Sequence, residues 1–90
     1  MSRAFVREDT DGEGVRRHYH LPPRDDPAYE AAAANALLEG ARVGDTAGAE
    51  AATGYRWGDP SLRPWVERIL ERARKERDGR LEQVAERYLD

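Results

Sequence analysis

The fold of this chain is decided by residues 62–73, which have the sequence LRPWVERILERA. Apolar side chains recur there at the i, i+3, i+4, i+7 spacing of one helix face, and charged residues fill the opposite face. This pattern predicts an amphipathic helix over residues 61–77, with Ser61 as its N-cap and Pro64 in its first turn. Trp65 lies in step with the apolar face, so we expect it in the core.

The same apolar register occurs 33 residues earlier in the chain. The first copy carries the face residues Tyr29, Ala32, Ala33, Ala36, Leu37 and Gly40, and then Gly48, Ala51, Ala52 and Tyr55. The second copy carries Leu62, Trp65, Val66, Ile69, Leu70 and Ala73, and then Leu81, Val84, Ala85 and Tyr88. Two copies of a helix–turn–helix unit predict a stack of two hairpins.

Start and stop signals place four helices, at about residues 27–43, 46–54, 61–77 and 80–89. Asp26 begins the first helix, Gly44-Asp45 separates the first two, and Asp78-Gly79 separates the last two. Gly40 and Gly48 lie on apolar faces, where we expect a close approach between helices. The predicted fold class is all-α, with four short helices as two stacked αα-hairpins.

The chain divides into two parts. Residues 1–25 hold few large apolar side chains, and that composition predicts a flexible, largely disordered N-terminal tail. Residues 26–90 are expected to form one helical domain of two repeats of approximately 33 residues. Stacks of this kind need about three repeats to be stable alone, so we expect the tail or a second copy of the chain to cover an open end.

Composition excludes several functional classes. The chain has no cysteine, which excludes disulfides, thiolate metal sites and a cysteine nucleophile. With 15 basic and 18 acidic residues, its net charge of −3 exerts no general attraction on nucleic acid. Neither a signal peptide nor a long apolar run occurs, so we expect a cytoplasmic protein that does not contact the membrane.

No residue set in the sequence specifies a reaction. Two serines and two histidines offer no nucleophile–base pair at a recognised spacing, and the glycine stretches are too short to cradle a phosphate. His18 and His20 lack a third ligand, so we expect an ordinary surface pair rather than a metal site. The basic residues between 68 and 80 alternate with glutamates, which favours a solvated face. We therefore expect no catalytic role and no cofactor.

One apolar strip is not required by the repeat. Leu38, Ala41 and Val43 correspond to charged residues in the second copy. Either the tail covers this strip, through Phe5, Val6 or Tyr19, or a partner does.

Two aromatic residues, Tyr55 and Trp57, lie between the two copies. Trp57 is either a plug between the repeats or an exposed anchor for a partner, and a small core favours the plug. The predicted binding surface, for a protein partner or a second copy of the chain, consists of Leu38, Ala41, Val43, Tyr55 and Trp57.

Two resemblances to known families add expectations. Gly40, Ala52 and Pro64 lie twelve residues apart, and with the helical pattern of residues 26–89 they resemble a tetratricopeptide repeat. That resemblance implies binding of a peptide or protein on a concave helical face. The sequence MSRAFVRED at residues 1–9, followed by LPPR at 21–24, resembles the start of some Gre-type transcript-cleavage factors.

The second resemblance implies a role at the transcription machinery. Two hypotheses for the function follow from these observations. The first is a small protein-interaction module or accessory factor, and the second is an accessory of the transcription machinery or a nucleic-acid-associated protein.

Overall fold

The computed structural model describes residues 19–90, which form four α-helices and one 3-10 turn. Helix α1 spans Tyr29–Arg42, α2 spans Thr46–Thr53, α3 spans Arg63–Glu76 and α4 spans Gly79–Leu89, with the 3-10 turn at Pro60–Leu62. No strand occurs between residues 19 and 90. The predicted all-α class with four short helices is confirmed, whereas the prediction for the tail over residues 1–18 lies outside the described residues.

Helix α1 is the central helix, because it packs against α2 and also against both α3 and α4. Its sequence, YEAAAANALLEGAR, is rich in alanine, and small side chains let neighbouring helices approach closely. Ala36, Leu37 and Leu38 are consecutive and all buried, so more than one side of the helix is covered. Buried residues from all four helices thus form one hydrophobic cluster around α1.

Glycines end both helices of the first hairpin, and the one at residue 44 was predicted. Gly44 and Gly54 have φ angles of 76° and 81°, in the left-handed region that favours glycine. After α1, the amides of Gly44 and Asp45 donate to the carbonyls of Ala41 and Gly40 over 3.3 and 2.7 Å. These two bonds form a Schellman motif, which satisfies carbonyls that the helix end would leave unpaired.

The start of α3 differs from the prediction, because a 3-10 turn separates the cap from the helix. Asp59 accepts hydrogen bonds from the amide and the hydroxyl of Ser61, at 2.9 and 2.6 Å. These bonds, the hydroxyl bond foremost, lower the pKa of the Asp59 carboxyl. Ser61 therefore donates to a cap instead of being the N-cap itself. Pro64 lies in the first turn of α3, as predicted.

Helices α3 and α4 form an antiparallel hairpin. Arg63, at the start of α3, donates to the carbonyl of Leu89 at the end of α4, over 3.2 Å. Asp78 caps α4 by accepting from the amide of Leu81 at 3.2 Å. The buried side chains on this hairpin include the predicted face residues Leu62, Val66, Ile69, Ala73, Val84, Ala85 and Tyr88.

Trp65 departs from its predicted place in the core. Its ring packs against the core cluster but is only half-buried. The Arg68 guanidinium lies 4.8 Å from the ring centre, and the indole Nε1 donates to the carboxylate of Glu30 over 3.3 Å. Trp65 thus lies at the border between the core and solvent, where its N–H finds a polar partner.

The repeat register fails in α2. Ala51 and Ala52 were predicted on its apolar face and are exposed, whereas Ala49 and Thr53 are buried. Thr53 donates its hydroxyl proton to the Ala49 carbonyl at 2.8 Å, and Tyr29 donates to the Thr53 carbonyl at 2.8 Å. Helix α2 therefore packs on α1 through a narrow face that contains Ala49 and Thr53. Compared with the orientation that the repeat predicts, α2 is rotated about its own axis.

The two glycines on predicted apolar faces have different neighbours. A Cβ added to Gly40 would lie 2.7 Å from the Cβ of Ala49, so α1 and α2 approach closely here, as predicted. Gly48 does not contact another helix in this way. The carboxylate of Asp45 occupies the space that a side chain at position 48 would need.

Residues 19–25 were predicted to be part of the flexible tail, yet they lie against the first hairpin. The hydroxyl of Tyr19 donates to the carboxylate of Asp45 over 2.8 Å, and its ring packs on the core cluster. The Arg24 guanidinium lies 5.7 Å from the centre of the Tyr29 ring. Residues 19–25 therefore pack against the helical domain that was predicted to begin at residue 26.

Candidate functional site

The predicted partner strip is not one continuous surface, because Leu38 lies in the core. Its side chain is 1% exposed and belongs to the same hydrophobic cluster as Val84 and Ala85 of α4. Ala41 is half-buried and lies close to Val84. Neither the tail nor a partner is needed to cover Leu38, since helix α4 of the same chain contributes to the cluster that buries it. The prediction that Leu38 contacts a partner is therefore corrected.

Val43 is the one member of the strip with a large exposed side chain. It is 39% exposed, more than any other large hydrophobic residue in the described part of the chain. It follows the last residue of α1, directly before the left-handed Gly44.

Trp57 packs between the two hairpins. Its ring is half-buried and meets the ring of Tyr88 edge-on, with 4.9 Å between the ring centres. Its backbone amide donates to the carboxylate of Glu50 at 2.8 Å. This contact joins the segment after α2 to the end of α4, which is the inter-repeat role that a small core favours.

Tyr55 lies near the start of α1. Its ring centre is 6.4 Å from that of Tyr29, and its hydroxyl lies 3.5 Å from the Glu30 carboxylate. Partial burial, followed by the nearby charge of Glu30, raises the pKa of Tyr55. The distance between Tyr55 and Val43 is close to the length of α1, about 20 Å at 1.5 Å per residue. The five predicted residues therefore do not form one surface.

A shallow depression lies where the C-terminal end of α1 passes α4. We call it the arginine depression; it has a volume of about 280 Å³ and is lined by Ala41, Arg42, Arg80, Gln83, Val84 and Arg87. Ala41 and Val84 supply apolar surface, and three guanidinium groups and one amide surround it. The positions 80, 83, 84 and 87 share one face of α4, because they follow the i, i+3, i+4, i+7 spacing of a helix.

Two of the three arginines around the arginine depression form no ion pair with a described residue, although Glu86 and Asp90 lie on the far side of Arg87. Arg42 has an ion pair with Glu39 at 3.6 Å. Arg80 and Arg87 have no ion pair with any residue between 19 and 90. A guanidinium group stays charged at all physiological pH values and presents a planar fork of donors. The depression thus offers donors to anionic groups on two arginines that have no partner among the described residues.

Arg74 shows the contrast on the same hairpin. It makes ion pairs with Glu82 at 3.4 Å and with Glu86 at 3.0 Å, and these hydrogen bonds, the one to Glu86 first, raise the pKa of its guanidinium. The expectation of a neutralised, solvated basic stretch thus holds for Arg74. It does not extend to Arg80, which faces the depression.

Comparison of the chain with protein-family models, with curated proteins and with solved structures gives no match. The resemblances to a tetratricopeptide repeat and to Gre-type factors therefore stay predictions.

A second cavity, of about 330 Å³, lies between α1 and the segment before it. It is lined by Tyr19, His20, Ala32, Asn35, Ala36 and Glu39. No group of three metal-ligating side chains occurs in residues 19–90, and His18 of the predicted histidine pair lies outside the described residues. Across the same range, no helix has the length and apolar character needed to cross a membrane.

Sequence reasoning missed the arginine depression for an identifiable reason. Arg80 was grouped with a solvated stretch, and Arg87 was not singled out. The available signal was the spacing of Arg80, Gln83, Val84 and Arg87 on one helix face, with an apolar residue among polar ones. Its significance depends on α1 passing beside that face, which the periodicity of α4 alone does not reveal.

Proposed function

We propose that this protein is a small protein-interaction module, and that its docking surface is the arginine depression together with the neighbouring exposed Val43. The observation that carries the proposal is the pair Arg80 and Arg87, which lack ion pairs among residues 19–90 and line the depression with the half-buried Ala41 and the edge of the buried Val84. Ala41 and Val43 are the two residues of the sequence-predicted surface that remain in it.

The chemistry of the depression specifies the partner. Arginine forks bind carboxylates with two parallel hydrogen bonds, which are among the stronger polar contacts in proteins. The half-buried Ala41 and the small exposed edge of Val84 offer a limited apolar contact, which suits a short aliphatic side chain next to the acidic group. We infer that the partner is a protein segment with acidic residues beside an aliphatic residue.

Shape favours a polypeptide over a small-molecule substrate. The depression is shallow and at the small end of ligand pockets, which hold about 300–1,000 Å³ and enclose most of their ligand. No described side chain in it forms a nucleophile–base pair. The protein is accordingly proposed to be a cytoplasmic accessory factor without catalytic activity or a cofactor.

Selection of peptides tests this function. A displayed library of random peptides is panned on the immobilised full chain, and the selected peptides are expected to carry Asp or Glu beside an aliphatic residue. The double variant Arg80→Gln with Arg87→Gln should bind them on the order of tenfold or more weakly, because a hydrogen bond to a charged group contributes about 1.5–3 kcal/mol.

The matched control is Arg72→Gln, since Arg72 is an exposed arginine of α3 that lines neither cavity. This variant should bind the selected peptides like the unchanged protein. Failure to select any peptide family, or equal binding by the double variant, would overturn the proposal. A dimer in sedimentation that is lost only in the double variant would identify a second copy of the chain as the partner.

A second candidate function is an accessory of the transcription machinery that contacts nucleic acid. The same two arginines without ion pairs among the described residues favour it, whereas the net charge of −3 opposes it. Retention on a polyanion column at low salt, lost in the Arg80→Gln and Arg87→Gln variant, would support this candidate. Passage of the unchanged protein through the column would exclude it.

A further inference from the structure

We propose that in the free protein the arginine depression is occupied by the acidic segment Glu8–Glu13 of the same chain. This inference rests on the proposed function, because it identifies what a partner must displace. The segment reads EDTDGE and has four carboxylates in six residues. All four acidic residues of the first eighteen positions lie within it.

The charges of the two elements are complementary. Arg42, Arg80 and Arg87 surround the depression, and only Arg42 has an ion pair among the described residues. Four closely spaced carboxylates can reach several guanidinium groups at once, as one isolated carboxylate cannot. The neutralised Arg74 shows that this hairpin already holds arginine between two carboxylates where they are available.

The chain is long enough to bring the segment to the depression. Tyr19 is held beside α1 by its hydrogen bond to Asp45 and lines a cavity with Ala32. Ala32 and Ala41 are nine positions apart, about 2.5 helical turns, so the depression lies on the opposite side of α1. Positions 13 and 19 are six residues apart and span up to about 21 Å when extended at roughly 3.5 Å per residue, which exceeds half the circumference of a helix 10–12 Å in diameter, about 16–19 Å.

Because the acidic segment belongs to the same chain, even a weak contact is sufficient for it to occupy the arginine depression. Because Tyr19 is anchored nearby, the segment is present at an effective concentration on the order of a millimolar. A partner must compete with it, so the acidic segment raises the partner concentration that is needed for binding. High salt weakens the internal contact, since the Debye length falls to about 3 Å at 1 M ionic strength.

A spin label tests the internal contact in the full chain. The chain has no cysteine, so Thr10→Cys creates a single labelling site inside the acidic segment without removing a carboxylate. A nitroxide at this position should broaden the amide signals of Ala41, Arg42 and the α4 residues from 80 to 87. The signals of Tyr29 and Glu30, at the opposite end of α1 about 18 Å away, are expected to keep more of their intensity.

Two variants of the labelled protein separate docking from chance proximity. In the variant with Arg80→Gln and Arg87→Gln, the signals around the depression should recover, whereas the matched Arg72→Gln variant should keep the broadening. In the protein without arginine substitutions, about 1 M sodium chloride should also restore the signals. Uniform broadening, or broadening of another face, would overturn self-docking. The peptide selection above reports on the docking surface independently, so the two proposals fail by different measurements.

Discussion

Gly40 of α1 and Ala49 of α2 face each other so closely that a Cβ built on Gly40 would lie 2.7 Å from the Ala49 Cβ. The same added atom would lie 2.9 Å from the carbonyl oxygen of Asp45 and 3.2 Å from the hydroxyl oxygen of Tyr19. Helix α2, the α1–α2 connection and the segment before α1 therefore all contact the Cα of this one glycine. The glycine lets α2 and residue 19 pack against the C-terminal half of α1.

Gly40→Ala is expected to destabilise the protein despite the better helix propensity of alanine. The backbone of Asp45 and the short side chain of Ala49 cannot move aside freely. Overpacking of this kind typically lowers the free energy of unfolding by about 1–3 kcal/mol. Gly79→Ala is the control, because a Cβ there meets nothing within 4 Å and should stabilise α4 by about 0.5–1 kcal/mol. Urea unfolding followed by circular dichroism at neutral pH measures both changes, and a stabilising Gly40→Ala would contradict the packing.

Leu38→Ala is expected to lower the free energy of unfolding by about 2–5 kcal/mol, because the substitution leaves a cavity in a fully packed core. Val43→Ala should change it by less than about 0.5 kcal/mol, since that side chain is exposed. Thermal and urea denaturation report both values. Equal effects of the two substitutions would mean that Leu38 is accessible after all.

Arg77→Gly is expected to stabilise the turn between α3 and α4. Arg77 has φ of 57°, and it is the one residue other than glycine with positive φ in residues 19–90. The left-handed conformation costs an L-residue about 1–2 kcal/mol, most of which glycine avoids. Arg72→Gly, in the middle of α3, should instead destabilise the protein by about 1 kcal/mol. Chemical denaturation of the two variants side by side tests the opposite signs.

Stability is expected to fall at high pH through Tyr88. Burial, with a contribution from the negative charge of Asp59, raises the pKa of Tyr88 from 10.0 to about 12. The folded state favours the neutral phenol, so this contribution is complete below pH 10 and is lost as the pH rises towards 12.

Tyr88→Phe supplies the control for this pH dependence. The variant loses the hydrogen bond from the hydroxyl to the Asp59 carbonyl, 2.9 Å long, and is expected to lose about 1 kcal/mol at neutral pH. Its free energy of unfolding should depend less on pH above 10 than that of the unchanged protein. Identical slopes in the two proteins would show that another group titrates there.

The second hairpin was predicted well because its sequence separates large apolar from charged residues. The positions of Val66, Ile69 and Val84 determine which face of each helix is buried in the core. Helix α2 offers no such contrast, since its residues are mostly alanine and differ little in hydropathy. Ala49 was therefore indistinguishable from Ala51 or Ala52, and tertiary packing alone selects the buried stripe.

The helix starts were less predictable than the helices themselves. Asp26 caps a turn by accepting from the Ala28 amide at 2.8 Å, and α1 then begins at Tyr29 rather than at residue 27. A capping residue followed by proline marks where a helical segment begins. It does not reveal whether one short turn precedes the helix.

The predicted site failed because burial by another helix is not visible in a repeat alignment. Leu38 was compared with its counterpart Glu71, which is exposed on α3. Helix α1, unlike α3, is central and has neighbours on more than one side. The first copy is apolar at Leu38 where the second copy is charged, because α1 is packed on more sides than α3. The neighbouring polar surface at Arg80 and Arg87 became apparent only from the structure.

The narrow stripe through which α2 meets α1 has a further consequence for how the domain opens. With Ala49 and Thr53 as its buried residues, α2 contributes little apolar area, and elements of this kind unfold locally at low free energy. Amide hydrogens of α2 should exchange with deuterium well before those of α1 and α3. The arginine depression lies between α1 and α4, so it would persist while α2 transiently detaches.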